Sequence, residues 1–317
     1  MGEPTRRGSG NIPELRYAGR LLDTGPGAFA ELRRSDGTRA QSAELRVRLE
    51  TDGYLFVPGL LRIDEVLAAR DSVLQRLEAE GALDPAYPRL AAVAKPGVKM
   101  AFRAELATGN PEVEHLLYAG PMIAFFEDLL GGPVLHFDYT WLRAKSPGAD
   151  TMTHPHCDIV YMSRGTPYLF TAWTPLGDVP YEHGGLLILE GSHRRADRLG
   201  EYWQMDVDTY CANRAEAPAI EAGRQTWEQA KQGGAFHKDA IALQAELGGR
   251  WLSAAFSAGD VVVFGMHTLH GSSDNQSNRI RLSTDSRYQL ASEPADERWI
   301  GSNPIAHGAA GKRGKIC

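Results

Sequence analysis

The sequence predicts an α+β protein with a mainly β core: a double-sheet jelly roll buttressed by helices. Three observations predict it. Helix-period apolar stripes come early, before residue 131. From Pro133 onward the chain turns to short aromatic and branched runs separated by Gly and Pro, the signature of strands and tight turns. One long polar stretch, 195–255, interrupts that strand series. Helices followed by strands, without regular βαβ alternation, segregate the helices from a sheet core.

The elements follow in order. Residues 1–44 are rich in Arg, Gly and Ser and read as an N-terminal arm, flexible or packed on the core surface, with regular structure expected from about Leu45. Tyr54–Val57 is a strand closed by the turn signal Pro58-Gly59. Asp64 is placed to N-cap a helix running to about Glu80. Its stripe is Val66, Val73 and Leu77 with Leu67 and Leu74 beside them, and Gly81 ends it. A second helix covers Pro121–Leu130 and stops at Gly131-Gly132. Strands are predicted over Val134–Leu142, Ile159–Met162, Tyr168–Leu176, Leu186–Leu189, Asp260–Phe264 and Arg281–Leu290. The 195–255 segment is helix-prone and carries Tyr202, Trp203, Tyr210 and Trp227. A connection of that length is either a lid that touches substrate or a buttress on the scaffold. One domain over 45–290, with a C-terminal tail over 291–317, accounts for the pattern.

Composition narrows the function. The chain has 317 residues, a hydrophobic fraction of 43% and a net charge of −6, with no Lys/Arg block to neutralise phosphates. Nucleic acid is therefore not expected as a partner. No apolar run approaches the length of a membrane span, and the N-terminus lacks the apolar core of a secretory signal. Cys157, Cys211 and Cys317 form no CxxC pair, which suits a reducing cytoplasm better than a disulfide scaffold. The expected partner is a small-molecule substrate; composition leaves the oligomeric state open.

His156-Cys157-Asp158 is the first half of a compound motif. Residues i and i+2 of a strand share a face, so His156 and Asp158 can hold one metal while Cys157 points away. The second half reads Gly259-Asp260-Val261-Val262-Val263-Phe264, then His270-Gly271-Ser272-Ser273, then Arg281-Leu282-Ser283. Two histidines and one carboxylate form a facial triad that leaves positions open on a non-heme Fe(II). His267 competes with His270 as the distal ligand; His270 is preferred because its segment continues into the basic strand. Arg281 and Ser283 share strand parity. A buried guanidinium requires an anion, and a dicarboxylate cosubstrate supplies one, gripped by Arg281 with Ser283 donating.

With these residues in view, the chain resembles the phytanoyl-CoA dioxygenase family of Fe(II)/2-oxoglutarate oxygenases. The matching stretches are Asp52–Gly59, His154-Pro-His-Cys-Asp158, Ala172-Trp-Thr-Pro-Leu-Gly-Asp178, Gly184–His193 and Gly259–Tyr288. The resemblance implies a double-stranded β-helix, iron on His156, Asp158 and His270, and 2-oxoglutarate anchored by Arg281. It also implies that Ser272 and Trp173, and by looser spacing Lys99 and Trp141, line the cosubstrate pocket. The implied reaction uses O2 and converts 2-oxoglutarate to succinate and CO2 while a substrate is hydroxylated or otherwise oxidised. A carboxylate at Asp158, where related halogenases carry a small residue, points away from halogenation. Glu190 and His183 depart from the family pattern, but in a turn away from the metal positions. Two other readings stand beside this one: a cupin-like metalloenzyme that does not use 2-oxoglutarate, and a catalytically silent jelly-roll binding protein.

Overall fold

Side-chain alternation along the strands sorts the molecule into layers. The structure is a computed structural model describing residues 13–36, 42–222 and 233–317; Trp227 and the first twelve residues of the expected arm lie outside them. The N-terminal segment forms a two-stranded hairpin, β1 (Arg16–Tyr17) and β2 (Arg20–Leu21), and then β3 (Phe29–Glu31). Helix α1 (Ser42–Asp52), strand β4 (Tyr54–Val57) and helices α2 (Ile63–Ala79), α3 (Pro111–Tyr118) and α4 (Gly120–Leu130) follow. Strands β5 (Val134–His136), β6 (Trp141–Lys145), β7 (Thr153–His156), β8 (Phe170–Pro175) and β9 (Leu186–Leu189) come next. The long connection holds α5 (Ala196–Trp203), β10 (Thr209–Cys211), α6 (Ala217–Glu221) and α7 (Ala240–Leu247). The chain finishes with β11 (Trp251–Ser253), β12 (Val261–Gly265), β13 (His270–Ser272), β14 (Arg281–Leu290) and β15 (Arg313–Lys315).

Two sheets carry the site. One has the order β3-β11-β9-β13-β7; the other runs β4-β12-β8-β14-β5, with β6 also paired to β14. Tyr54, Phe56, Trp173, Val262 and Phe264 of the second sheet meet Leu186, Ile188 and Leu252 of the first in one buried cluster. The alternate residues Leu55, Val57, Val261, Val263 and Leu282 face the other way and pack with α2, α3 and α4. On the first sheet, Leu187, Leu189 and Trp251 face outward onto Leu199, Leu243 and Leu247 of α5 and α7. The period of two thus separates an inter-sheet core from two outer cores, as a two-sheet jelly roll flanked by helices requires.

Several sequence expectations change in detail. The run Val134–Leu142 is two strands, not one. The Phe137 amide still bonds the Arg287 carbonyl, but the Asp138 amide turns to the Trp299 carbonyl and leaves the ladder. Ile159–Met162 is not a strand. Asp158–Val160 forms a 3₁₀ turn, because the Asp158 carbonyl accepts from the amides of Tyr161 and Met162 at 3.0 and 3.2 Å. Its apolar side chains fill a core instead of a ladder. Asp64 does not cap α2: Arg62 is the N-cap residue, without a side-chain bond, and Asp64 sits in the first turn and pairs with Arg62 at 2.8 Å. Leu67 falls off the buried stripe and is 44% exposed. Structure begins well before Leu45, since β3 extends the first sheet in parallel with β11. The cysteine reading is also corrected. Cys211 and Cys317 form a disulfide that joins β10 to the end of the chain beside β15, so the argument for a reducing compartment is withdrawn. Among the described residues, no helix is long and apolar enough to cross a membrane.

Candidate active site

The sheet register brings the first cluster together. His270 of β13 pairs directly with His156 at the end of β7, and their ring centroids lie 4.3 Å apart. Asp158 enters from the turn just after β7. Its Oδ1 is 3.7 Å from His156 Nε2 and 3.8 Å from His270 Nε2. One ligand atom from each of the three residues lies within 4.8 Å of the others, and all three residues are buried. The tautomers follow from their partners. His156 Nδ1 contacts the His154 carbonyl at 2.8 Å, and His270 Nδ1 contacts the Thr268 carbonyl at 3.0 Å. A carbonyl can only accept, so each Nδ1 carries the proton and each Nε2 presents its lone pair to the shared space.

The electrostatics favour a cation there. Burial pushes His156 down to about 3, with His270 adding to the shift, and burial lowers His270 as well. Both imidazoles are therefore neutral ligands at ordinary pH. Burial alone raises the Asp158 carboxyl, but Arg287, His270, His156 and Thr171 outweigh it and hold it below the usual carboxylate range. Two neutral imidazoles and one carboxylate in a dry site match the donor set of a divalent transition metal with open positions. His267 is directed elsewhere: its ring packs edge-on against Trp203, with centroids 4.7 Å apart. Cys157 faces away from the cluster. Its sulfur lies 3.4 Å from both Trp203 Nε1 and the His267 carbonyl, and burial pushes its thiol up.

A second cluster sits at the other end of β14. Arg281, Ser283, Asp285 and Arg287 share the inward face of that strand, while Leu282 and Tyr288 point to the outer helices. Arg281 Nη1 donates to Ser283 Oγ, its Cζ lies 5.9 Å from the Trp173 ring centroid, and its Nε is buried without an acceptor. Lys145, on β6 directly opposite Arg281, donates from Nζ to Ser272 Oγ and, at 2.6 Å, to Thr153 Oγ1. Burial, then Arg281 and Arg143, hold Lys145 well below the ordinary lysine range. Burial and Arg143 likewise disfavour the charged form of Arg281. Among the described residues no carboxylate lies within ion-pair distance of either cation. Two adjacent buried basic groups without an anion are the arrangement that an arriving carboxylate would stabilise in the charged form.

Most sequence-identified candidates thus gather around these two clusters: His156, Asp158 and His270 at one end, Arg281, Ser283, Ser272 and Trp173 at the other. Trp141 lies at the metal end, its ring centroid 4.6 Å from Arg287 Cζ. Lys99 is not brought in. Its side chain is 76% exposed and pairs with Asp150 on the surface at 2.6 Å, where a strongly hydrated ammonium is most stable. Sequence reasoning missed Lys145 and Arg287. The alternation Trp141-x-Arg143-x-Lys145 carried the signal for Lys145, but the strand was ended at Leu142. Arg287 shares parity with Arg281 and was readable by the same count of two.

The long connection acts partly as a brace for this site. The Tyr202 hydroxyl accepts from the Cys157 amide at 3.1 Å and donates to the Gly234 carbonyl, tying α5 to the backbone between two of the clustered residues.

Comparison with known proteins agrees with this geometry. The family described as phytanoyl-CoA dioxygenase (PhyH) matches residues 49–283. Solved structures share the fold at low identity. The carbocyclase SnoK from nogalamycin biosynthesis, described as non-heme and alpha ketoglutarate dependent, is 22% identical over 80% of this chain and 85% of its own, with a TM-score of 0.56. The epimerase SnoN, crystallised with Fe3+, alpha ketoglutarate and nogalamycin RO, is 22% identical over 84% of this chain and 89% of its own, with a TM-score of 0.53. EctD from S. alaskensis, in its apoform, is 18% identical over 93% of both chains, with a TM-score of 0.55.

Proposed function

The chain belongs to the phytanoyl-CoA dioxygenase family and is an iron- and 2-oxoglutarate-dependent oxygenase; from that premise we propose that it oxidises a small-molecule substrate, with iron on His156, Asp158 and His270 and 2-oxoglutarate on Arg281 and Lys145. The observation that carries the assignment is the pair of buried basic groups, Arg281 and Lys145, set side by side without a carboxylate partner in the same inter-sheet space as the three-ligand cluster. One end of that space has the donors for a metal; the other has the charge for a carboxylate. Bound iron with 2-oxoglutarate and O2 supplies an oxidant that removes hydrogen from carbon, with release of succinate and CO2.

The residues of the chain do the positioning. His156 and His270 keep Nε2 unprotonated because their Nδ1 protons are held by carbonyls. Arg281 and Lys145 anchor the distal carboxylate, with Ser283 and Ser272 keeping the two cationic heads in place. Trp173, with its ring centroid 5.9 Å from Arg281 Cζ, and Phe256 packed against it at 4.6 Å place apolar surface beside the Arg281 end. The protein supplies binding and orientation; the hard chemistry belongs to the cofactors. A cupin-like enzyme without 2-oxoglutarate has no use for two buried basic groups without a carboxylate partner, and a silent binding protein has no use for the complete ligand trio. The bound contents of SnoN favour the same reading.

The test is a metabolite screen with the iron-loaded enzyme, measuring substrate-dependent succinate release and then the product mass. Substrate-dependent succinate with gain of one oxygen supports hydroxylation; gain of no oxygen with loss of hydrogen makes the reaction a desaturation or ring closure. Failure of the iron-loaded protein to develop a charge-transfer band with 2-oxoglutarate under anaerobic conditions rejects the whole assignment.

A further inference from the structure

Arg287 is a buried cation that the function described above does not use. It is 2% exposed, and its Nη2 lies 3.1 Å from Asp158 Oδ2. Its other two nitrogens, Nε and Nη1, are buried without an acceptor, and its guanidinium lies over Trp141, 4.6 Å from the ring centroid. Such burial is costly unless the charge is compensated, so the position demands a reason. Thr171, directly across the sheet from Arg287, donates its hydroxyl to the same oxygen, Asp158 Oδ2. The carboxylate is thus divided. A guanidinium ion pair and a hydroxyl donor from adjacent strands of one sheet take Oδ2, and Oδ1 faces the two imidazoles of the other sheet.

We propose that Arg287 is a positioning residue: with Thr171 it occupies Asp158 Oδ2, forces the carboxylate to bind the metal through Oδ1 alone, and so keeps a coordination position from being closed by the second oxygen. Trp141 holds the guanidinium flat and in place. This inference rests on the reading that His156, Asp158 and His270 hold the metal. Partners that orient a metal ligand typically contribute 10–100-fold in metal affinity or activity.

The test uses the full chain loaded with cobalt(II), whose visible d–d spectrum reports coordination number, together with direct titration of metal affinity. In Arg287→Gln the carboxylate is freed to chelate through both oxygens. The d–d envelope should change shape and intensity, and metal affinity should shift by roughly 10–100-fold, while 2-oxoglutarate affinity of the loaded protein stays within a few-fold. Arg287→Lys, which keeps the charge but not the fork, should recover part of the wild-type spectrum. A spectrum and affinity indistinguishable from wild type in a folded Arg287→Gln protein overturn the proposal. If that variant does not fold, Thr171→Val removes the other donor from the same oxygen; a shifted spectrum supports the proposal and an unshifted one overturns it. Absence of metal binding in the wild-type protein instead refutes the metal-site reading beneath it.

Discussion

Two regions of this molecule bury charge in opposite ways. Around Arg298 every charge is answered. Its guanidinium reaches Asp296, Asp208 and the Tyr161 carbonyl, and Asp208 also accepts from His307 and, at 2.6 Å, Lys312. That network knits the long connection to the C-terminal tail. Along the inward face of β14, by contrast, Arg281 and Lys145 meet hydroxyls but no carboxylate, while Arg287 reaches Asp158 and leaves its other two nitrogens without acceptors. Burial depth is the same; compensation is not. A buried charge that is satisfied marks structure, and one left wanting marks the place of a ligand.

The comparison can be broken at its strongest point first. Asp158→Ala removes the one anion of the metal cluster. Turnover should vanish and iron binding collapse, measured by metal content after dialysis; retained stoichiometric iron would separate the cluster from metal binding. On the satisfied side, Arg298→Met strands Asp296 in the interior and takes one of the three cations from Asp208. The expected cost is about 3–5 kcal/mol of stability, read by denaturant titration, with the KM for 2-oxoglutarate unchanged in whatever protein folds. A raised KM there would erase the distinction between the two regions. On the unsatisfied side, Arg281→Lys keeps charge but loses the two-pronged grip. The apparent KM for 2-oxoglutarate should rise about tenfold or more, for a charge-assisted contact of about 1.5–3 kcal/mol, with little change in thermal stability.

The smallest effect concerns protons. Burial and two neighbouring guanidiniums depress Lys145 in the free protein, and an arriving carboxylate favours its charged form. Binding of 2-oxoglutarate should therefore take up a proton, and affinity should fall with rising pH at lower pH than an ordinary lysine would dictate. Calorimetry in two buffers of different ionisation enthalpy measures the uptake; identical apparent enthalpies would show that Lys145 is charged already.

What the sequence made legible was whatever repeats with the backbone. Leu186–Leu189 and Arg281–Leu290 are strands with the expected limits, and the stop of α4 at Gly131, in left-handed conformation, was readable as well. His156, Asp158 and His270 were legible as a set because a count of two and one distal histidine were enough to propose it. Lys145 was lost to a strand end misjudged by three residues, and Lys99 was drawn in by spacing alone. The 3₁₀ turn at Asp158–Val160 defeated propensity, since branched residues there serve a core and not a ladder. The link between Cys211 and Cys317 spans a separation of 106 residues, and nothing local announces such a contact.

Strand β14 also behaves as a ruler. Residues on its inward face advance in two-residue steps of roughly 6.6 Å, and a one-residue slip would turn Arg281, Ser283, Asp285 and Arg287 outward together. Arg281 and Arg287 ride on the same strand, so sliding it moves both together and leaves the span between them unchanged. Sliding the strand cannot retune the enzyme for a cosubstrate one carbon longer or shorter. With the cosubstrate held as proposed, a change of cosubstrate would have to come from exchanging a side chain at Arg281 or Lys145, so the proposal puts cosubstrate choice in the identity of those two residues and not in their spacing.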